Sequence, residues 1–340
     1  MTQLTRRALV PLLAFSLATL GLSCSSDADT ADTTTPAPAP ADESPATTQA
    51  PAVDLPDVVV TYSVLASVVS ELVTGVADVV TIIPDGQDPH DFEPSAKDIA
   101  AINDAVFVVA NGLNFEEGLE TSLEELHDAN GPVFFVGEHI TVREMAEGDD
   151  HAHGSEDKSK DDDGHSHGDE HAHSDGDPHL WLSPAAMLEM LPELASELGA
   201  ALGTDLSAAL ATVTDGLTAL DSEVAALFDA IEPCELVTGH DELGYFADRY
   251  GCEVIGAVIP SSTTTSEASA GELAELKEVI LEHSAKVVFV SLGTPQAVAE
   301  QIAKETGTTL VELSTHSMGG STTYAEFVQS VAKQIADALK

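Results

Sequence analysis

From Pro56 onward, short β-branched runs alternate with segments of helical spacing, and this alternation limits the possible folds more than any other feature of the chain. Residues 58–62 form a continuous β-branched run, and residues 64–73 follow with apolar positions at helical intervals. The series continues with a strand at 79–83, a helix-like segment at 95–103, and strands at 106–110 and 133–136. Uninterrupted apolar strands between helices indicate a parallel sheet covered on both faces, because such strands bury both of their sides. Residues 184–231 then read as almost wholly helical, with Asp205 a cap between two segments. Alternation resumes at 236–238 and runs through 243–250, 254–258, 273–283, 287–290, 295–306 and 309–313 to a closing helix from Tyr324. The expected class is α/β: one lobe over 55–204, a long connecting helix over 205–231, and a second lobe over 232–340. No internal repeat is evident.

Two stretches fall outside this pattern. Residues 147–177 hold twelve acids and six histidines with almost nothing apolar, which predicts a disordered acidic loop. The N-terminus reads as an export signal over residues 1–24. Arg6 and Arg7 precede an apolar run over 8–22, which is shorter than the roughly 20 residues of a membrane span. The Arg pair leaves Sec and twin-arginine export both open. Gly21-Leu22-Ser23-Cys24 resembles a bacterial lipobox, with Gly where Leu is usual, so Cys24 is the candidate lipidation site. Residues 25–54, rich in Ser, Thr, Pro and Asp, then form a disordered tether. The reading is of an exported lipoprotein on the cell membrane, facing outside or the periplasm.

The balance of 12 Lys and Arg against 59 Asp and Glu excludes nucleic acid as a partner, because phosphate binding needs basic patches. Acidity alone makes no metal site and suits solubility equally well. Cys234 and Cys252 each precede an apolar run, and neighbouring parallel strands would bring those starts together. They are a candidate disulfide, with two free thiols the alternative.

The thirteen histidines sort into three groups. His127, His139 and His283 sit near element ends with nothing converging on them. His151, His153, His165, His167, His171 and His173 come as H-x-H pairs among acids. They suit a low-affinity zinc collector, since ordering a disordered ligand set costs chain entropy. His90, His179 and His240 stand singly in loops at strand ends, where ligands bind in open α/β sheets.

The segments around those three are D-P-H-x-F-E-P-S, D-P-H-x-W-L-S-P and T-x-H-D-x-x-G-Y-F. In this order, with residues 109–116, they resemble the zinc/manganese class (cluster A-I) of ABC-transporter solute-binding proteins. The resemblance runs from about Val58 to the C-terminus. It implies two Rossmann-like lobes joined by a rigid backbone helix, with metal in the interlobe cleft and His90, His179 and His240 as ligands. It also implies a permease and its ATPase as partners, and a monomeric capture protein that is not an enzyme. A histidine at the third motif favours Zn2+ over Mn2+, and an acidic His-rich insert is a habit of zinc importers. At the fourth ligand the chain departs from the family: Thr315-His316-Ser317-Met318 stands where the family carries an Asp. The expectation is a site of four histidines including His316, with Glu312 or a water as rivals and Asp241 as an outer acid balancing the ion's charge.

Two further functions are open to the same residues. A zinc hydrolase needs an open coordination position and a placed base, and no H-E-x-x-H helix is present. An adhesin or surface zinc buffer would instead place the function in the tether and the acidic loop.

Overall fold

The computed structural model describes residues 55–145 and 176–340. The expectations for residues 1–54, including Cys24, and for the six histidines between 151 and 173 therefore lie outside the described residues.

The first half is built from β1 (Asp57–Tyr62), α1 (Ser63–Leu72), β2 (Asp78–Ile83), α2 (Ala96–Asp104), β3 (Phe107–Ala110), α3 (Glu120–Asp128) and β4 (Val133–Phe135). Its four strands are all parallel, in the order β2-β1-β3-β4. Val58, Val59 and Val60 are at most 1% exposed, so this run is buried on both faces, as its unbroken β-branched character requires.

Two helices follow, α4 (Pro184–Leu202) and α5 (Ser207–Phe228). Gly203 ends α4 in the left-handed conformation, and the Asp205 side chain accepts a hydrogen bond from the Ser207 amide where α5 begins. The 205–231 stretch expected as one connecting helix is helical over Ser207–Phe228. Its buried face carries Val213, Leu217, Leu220, Val224 and Phe228 at i, i+3, i+4 intervals.

The second half repeats the first pattern: β5 (Glu235–His240), α6 (Gly244–Tyr250), β6 (Glu253–Ile259), α7 (Ala270–His283), β7 (Val287–Val290), α8 (Gln296–Thr306), β8 (Thr309–Glu312) and α9 (Tyr324–Leu339). Its sheet is again parallel, in the order β6-β5-β7-β8. Helix α5 packs on α1 from the first half and on α6 and α9 from the second. Glu235 pairs with Glu253, which brings the preceding residues together, and Cys234 and Cys252 form a disulfide.

His90 and His316 lie in the loops after the carboxyl ends of β2 and β8, and His240 is the carboxyl-terminal residue of β5, where ligands bind in parallel sheets.

Candidate metal centre

Four histidines meet between the two halves. His90 lies in the loop after β2, His179 in the turn before α4, His240 is the last residue of β5, and His316 lies in the loop after β8. One ring nitrogen from each falls in a group whose members are all within 4.8 Å of one another. All four residues are at most 3% exposed, so the site is closed over instead of forming an open cleft. Glu312, the rival to His316, is the exposed last residue of β8 and stands outside the group.

The centre lacks something that these rings need. His179 Nε2 and His240 Nε2 face each other at 3.2 Å, and His316 Nε2 and both ring nitrogens of His90 are buried without a hydrogen-bond partner. Buried polar atoms are almost always satisfied, so several orphans aimed at one point mark the place of a ligand that accepts nitrogen lone pairs. Burial holds His179, His240 and His316 well below the ordinary histidine pKa, with neighbouring charged groups adding to the effect. These rings are therefore neutral at pH 7, the form that ligates a metal. Four imidazole nitrogens in a closed site suit Zn2+, which prefers tetrahedral nitrogen, over Mn2+, which prefers octahedral oxygen.

Behind the rings stands a set of carboxylates. Asp177 Oδ1 accepts from both the amide and Nδ1 of His179, at 2.9 and 2.8 Å. Asp88 Oδ1 likewise accepts from the His90 amide at 3.1 Å, so the two D-P-H segments are built alike. Glu117 approaches His90 Nδ1 at 3.7 Å. The nearby His90 ring holds its carboxyl below the usual range, against a smaller opposing effect of burial. Glu242 lies 3.8 Å from His240 Nδ1 and 3.5 Å from His316 Nδ1. Thr315 Oγ1 sits 3.1 Å from His316 Nδ1 and donates to Glu242, which relays that ring to the carboxylate and leaves Nε2 bare toward the centre. Burial raises both Asp177 and Glu242 to about 7.

Two sequence expectations are corrected here. Asp241, expected behind the ligands, forms no hydrogen bond or ion pair with any of the four rings; burial raises its carboxyl, with the charge of Asp177 adding to the rise and Arg143 opposing it. Glu242 holds the expected place instead: the chain turns after β5, where the Glu242 amide donates to the His240 carbonyl at 2.9 Å, and the Glu242 carboxylate approaches His240 and His316. Asp177, assigned to the acidic loop, is fully buried and belongs to the centre. The D-P-H segment carried the signal for Asp177, whereas nothing in the sequence separates Glu242 from its neighbour Asp241.

Contacts across the junction fix these loops. Arg143 donates to Asp177 at 3.4 Å and to Asp248 on α6 at 2.8 Å, while its amide donates to the Tyr245 hydroxyl at 2.9 Å. Gly244 makes this possible, because a Cβ there would collide with both the Arg143 guanidinium and the Asp177 carboxylate. Trp181 Nε1 donates to the Thr315 carbonyl at 2.7 Å, and the Tyr324 hydroxyl donates to the Trp181 carbonyl at 2.8 Å. Phe115, Trp181 and Tyr62 wall one side of the centre, with Phe115 and Trp181 rings 4.4 Å apart. Thr264 donates to Asp88 at 2.7 Å, and Thr263 donates to Glu117, so the loop after β6 closes over His90. Among the remaining histidines, His139 stacks on Phe134, His127 lies against Phe135, and His283 meets Glu235 at 3.0 Å.

The sequence matches a family model described as the periplasmic component A of the zinc-uptake complex, over residues 58–338. A zinc-binding lipoprotein, AdcA, of Streptococcus pneumoniae is 28% identical over 257 residues, which are 74% of this chain and 48% of that protein. The chain thus spans about half the length of the first curated relatives it matches. The high-affinity zinc uptake system protein ZnuA of Bacillus subtilis is 29% identical over 83% of this chain and 86% of its own length. In fold, the chain is similar to the periplasmic zinc-binding protein TroA of Treponema pallidum, with a TM-score of 0.68, 24% identity, and coverage of 84% of this chain and 99% of that one.

Proposed function

The chain belongs to the zinc-uptake complex component A family, and from that premise we propose that it captures Zn2+ and delivers it to an ABC importer, with His90, His179, His240 and His316 as the ligands. The observation that carries this reading is the convergence of four buried imidazoles, each offering one ring nitrogen to a group whose members lie within 4.8 Å of one another. Members of such a family are solute-binding transport proteins, and four protein nitrogens fill a tetrahedron, leaving no open position for an activated water.

The partners in this reading are a membrane permease and its ATPase. No described helix is long and apolar enough to cross a membrane. The protein is proposed to be exported as a monomer and tethered through lipid on Cys24, with residues 25–54 as the tether. The six histidines between 151 and 173 act as a low-affinity collector beside the tight site.

The test is metal content and stoichiometry of purified protein, wild type beside His316→Ala, followed by competition with a zinc chelator. Trp181 is the only tryptophan, and its ring centroid lies 5.4 Å from His179 and 5.6 Å from His316, so its fluorescence reports loading directly. One tightly held Zn2+ in the wild type and its loss in the variant are expected. Tight zinc that survives substitution of all four histidines would place the site elsewhere.

A further inference from the structure

The three carboxylates behind the rings are not equivalent. Asp177 has the Arg143 guanidinium at 3.4 Å, so a fixed positive charge already opposes it. Glu117 has a side chain 36% exposed, and solvent screens it. Glu242 has neither form of relief. It is 1% exposed, and no lysine or arginine among the described residues pairs with it. Its two oxygens accept instead from Ser291 Oγ, at 2.6 Å, and from Thr315 Oγ1. Two hydroxyl donors orient a carboxylate but bring no net charge. A buried carboxylate with no cation beside it is costly, and such groups are normally paired or serve a metal.

Its placement indicates which cation. Glu242 lies 3.8 Å from His240 Nδ1 and 3.5 Å from His316 Nδ1, so one carboxylate backs both ligands contributed by the second sheet. Imidazole nitrogens disfavour ions that prefer oxygen, but as metal ligands they bring no negative charge of their own to favour a dication over a monocation. The charge that separates the two has to come from outside the ligand set.

We infer that Glu242 is a specificity-determining residue, a buried negative charge behind His240 and His316 that makes the four-nitrogen centre prefer a divalent over a monovalent cation. This rests on the zinc-capture reading and adds to it the basis of ion choice. Coulombic attraction is linear in the charge of the ion. Removing one outer negative charge therefore costs a dication twice the logarithm of affinity that it costs a monocation in the same place. A defect of shape or packing costs both ions alike.

The experiment compares Zn2+ with Cu+, measured anaerobically by chelator competition at about pH 8.5, where a carboxyl raised to about 7 carries its charge, in full-length wild type, Glu242→Gln and Glu242→Asp. Gln keeps the size and the acceptor oxygen but removes the charge. For Glu242→Gln, Zn2+ affinity is expected to fall about 10–100-fold, the usual cost of losing a partner behind a ligand. Cu+ affinity is expected to fall only by about the square root of that, roughly 3–10-fold. Glu242→Asp keeps the charge, so its ratio of Zn2+ to Cu+ affinity is expected to stay closer to the wild-type ratio than that of Glu242→Gln. Metal-free unfolding curves establish that each variant is folded; should Glu242→Gln fail to fold, the neutral Glu242→Met takes its place with the same expected ratio. Equal losses for the two ions in the neutral variant, or a Zn2+ to Cu+ ratio in Glu242→Asp that falls as far as in Glu242→Gln, would overturn the inference while leaving zinc capture standing. Wild-type protein that takes up no Zn2+ would overturn zinc capture and this inference with it.

Discussion

His179 Nε2 and His240 Nε2 face each other at 3.2 Å across the junction of the two halves of the molecule, one ring anchored before α4 and the other at the end of β5. Asp177 holds the proton of His179 on Nδ1, so His179 Nε2 presents a lone pair to His240 Nε2. A cation held between the two nitrogens would replace that single contact with two bonds. Zinc should therefore stabilise the fold strongly: about 4 kcal/mol at free zinc 1,000-fold above its Kd. For a domain of this size that is on the order of 10 °C in Tm. Calorimetry with zinc and with chelator checks it, and His179→Ala should abolish the shift.

His316 and Glu312 are the rivals for the fourth ligand, and they differ sharply in burial: His316 is 2% exposed within the cluster, whereas Glu312 is exposed at the end of β8. His316→Ala is expected to weaken Zn2+ binding at least about 100-fold, at or beyond the upper end of the cost of losing an outer partner. Glu312→Gln is expected to change it by less than a factor of about two, since an exposed side chain outside the group adds little. The spectrum of bound Co2+ should lose its tetrahedral intensity in the first variant alone.

Deletions of the acidic segment should depend on where they stop. Removing residues 147–175 leaves Asp177 in place, and one tight Zn2+ should remain. Removing 147–177 also takes the carboxylate that holds His179 Nδ1 at 2.8 Å, and affinity should drop by a further 10–100-fold or so. Equal affinity in the two deletions would show that Asp177 has no part in binding.

Metal-free stability should carry two opposed pH dependences. Burial raises Asp177 to about 7, above its unfolded value near 3.9, so its contribution is full below about pH 4 and is lost as pH rises through about 7. The depressed histidines act in the other direction. Their unfolded forms take protons first as pH falls below about 6.5, and stability drains away. Asp177→Asn removes only the first effect. The Tm of the variant minus that of wild type should therefore rise between pH 6 and pH 8; a difference that stays flat counts against the raised carboxyl.

The disulfide should matter for stability and not for metal. Cys234 and Cys252 are 18 residues apart in sequence and join the starts of β5 and β6, at the opposite end of β5 from His240. Replacing both by Ser should cost roughly 3 kcal/mol by loop-closure entropy. Zinc stoichiometry should be unchanged, which unfolding in denaturant and metal analysis together would establish.

Much of this molecule is legible in its sequence because the signals are local. The buried β-branched runs at 58–60 and 287–290 mark strands, and the capped helical segments between them mark a parallel α/β arrangement. The lone histidines in D-P-H and T-x-H-D segments identify themselves by their neighbours. What the sequence leaves open is every relation between distant segments. That Arg143 meets Tyr245 and Asp177, that Thr264 reaches back to Asp88, and that Trp181 holds the His316 loop depend on how the halves dock. So does the choice of Glu242 over Asp241, since both lie in the turn after β5 and only packing decides which carboxylate reaches the rings. The chain by itself determined which residue types are available to hold a cation. Only the tertiary structure decided which carboxylates stand behind them, because charge acts through space and the packing of two sheets, not spacing along the chain, sets those distances.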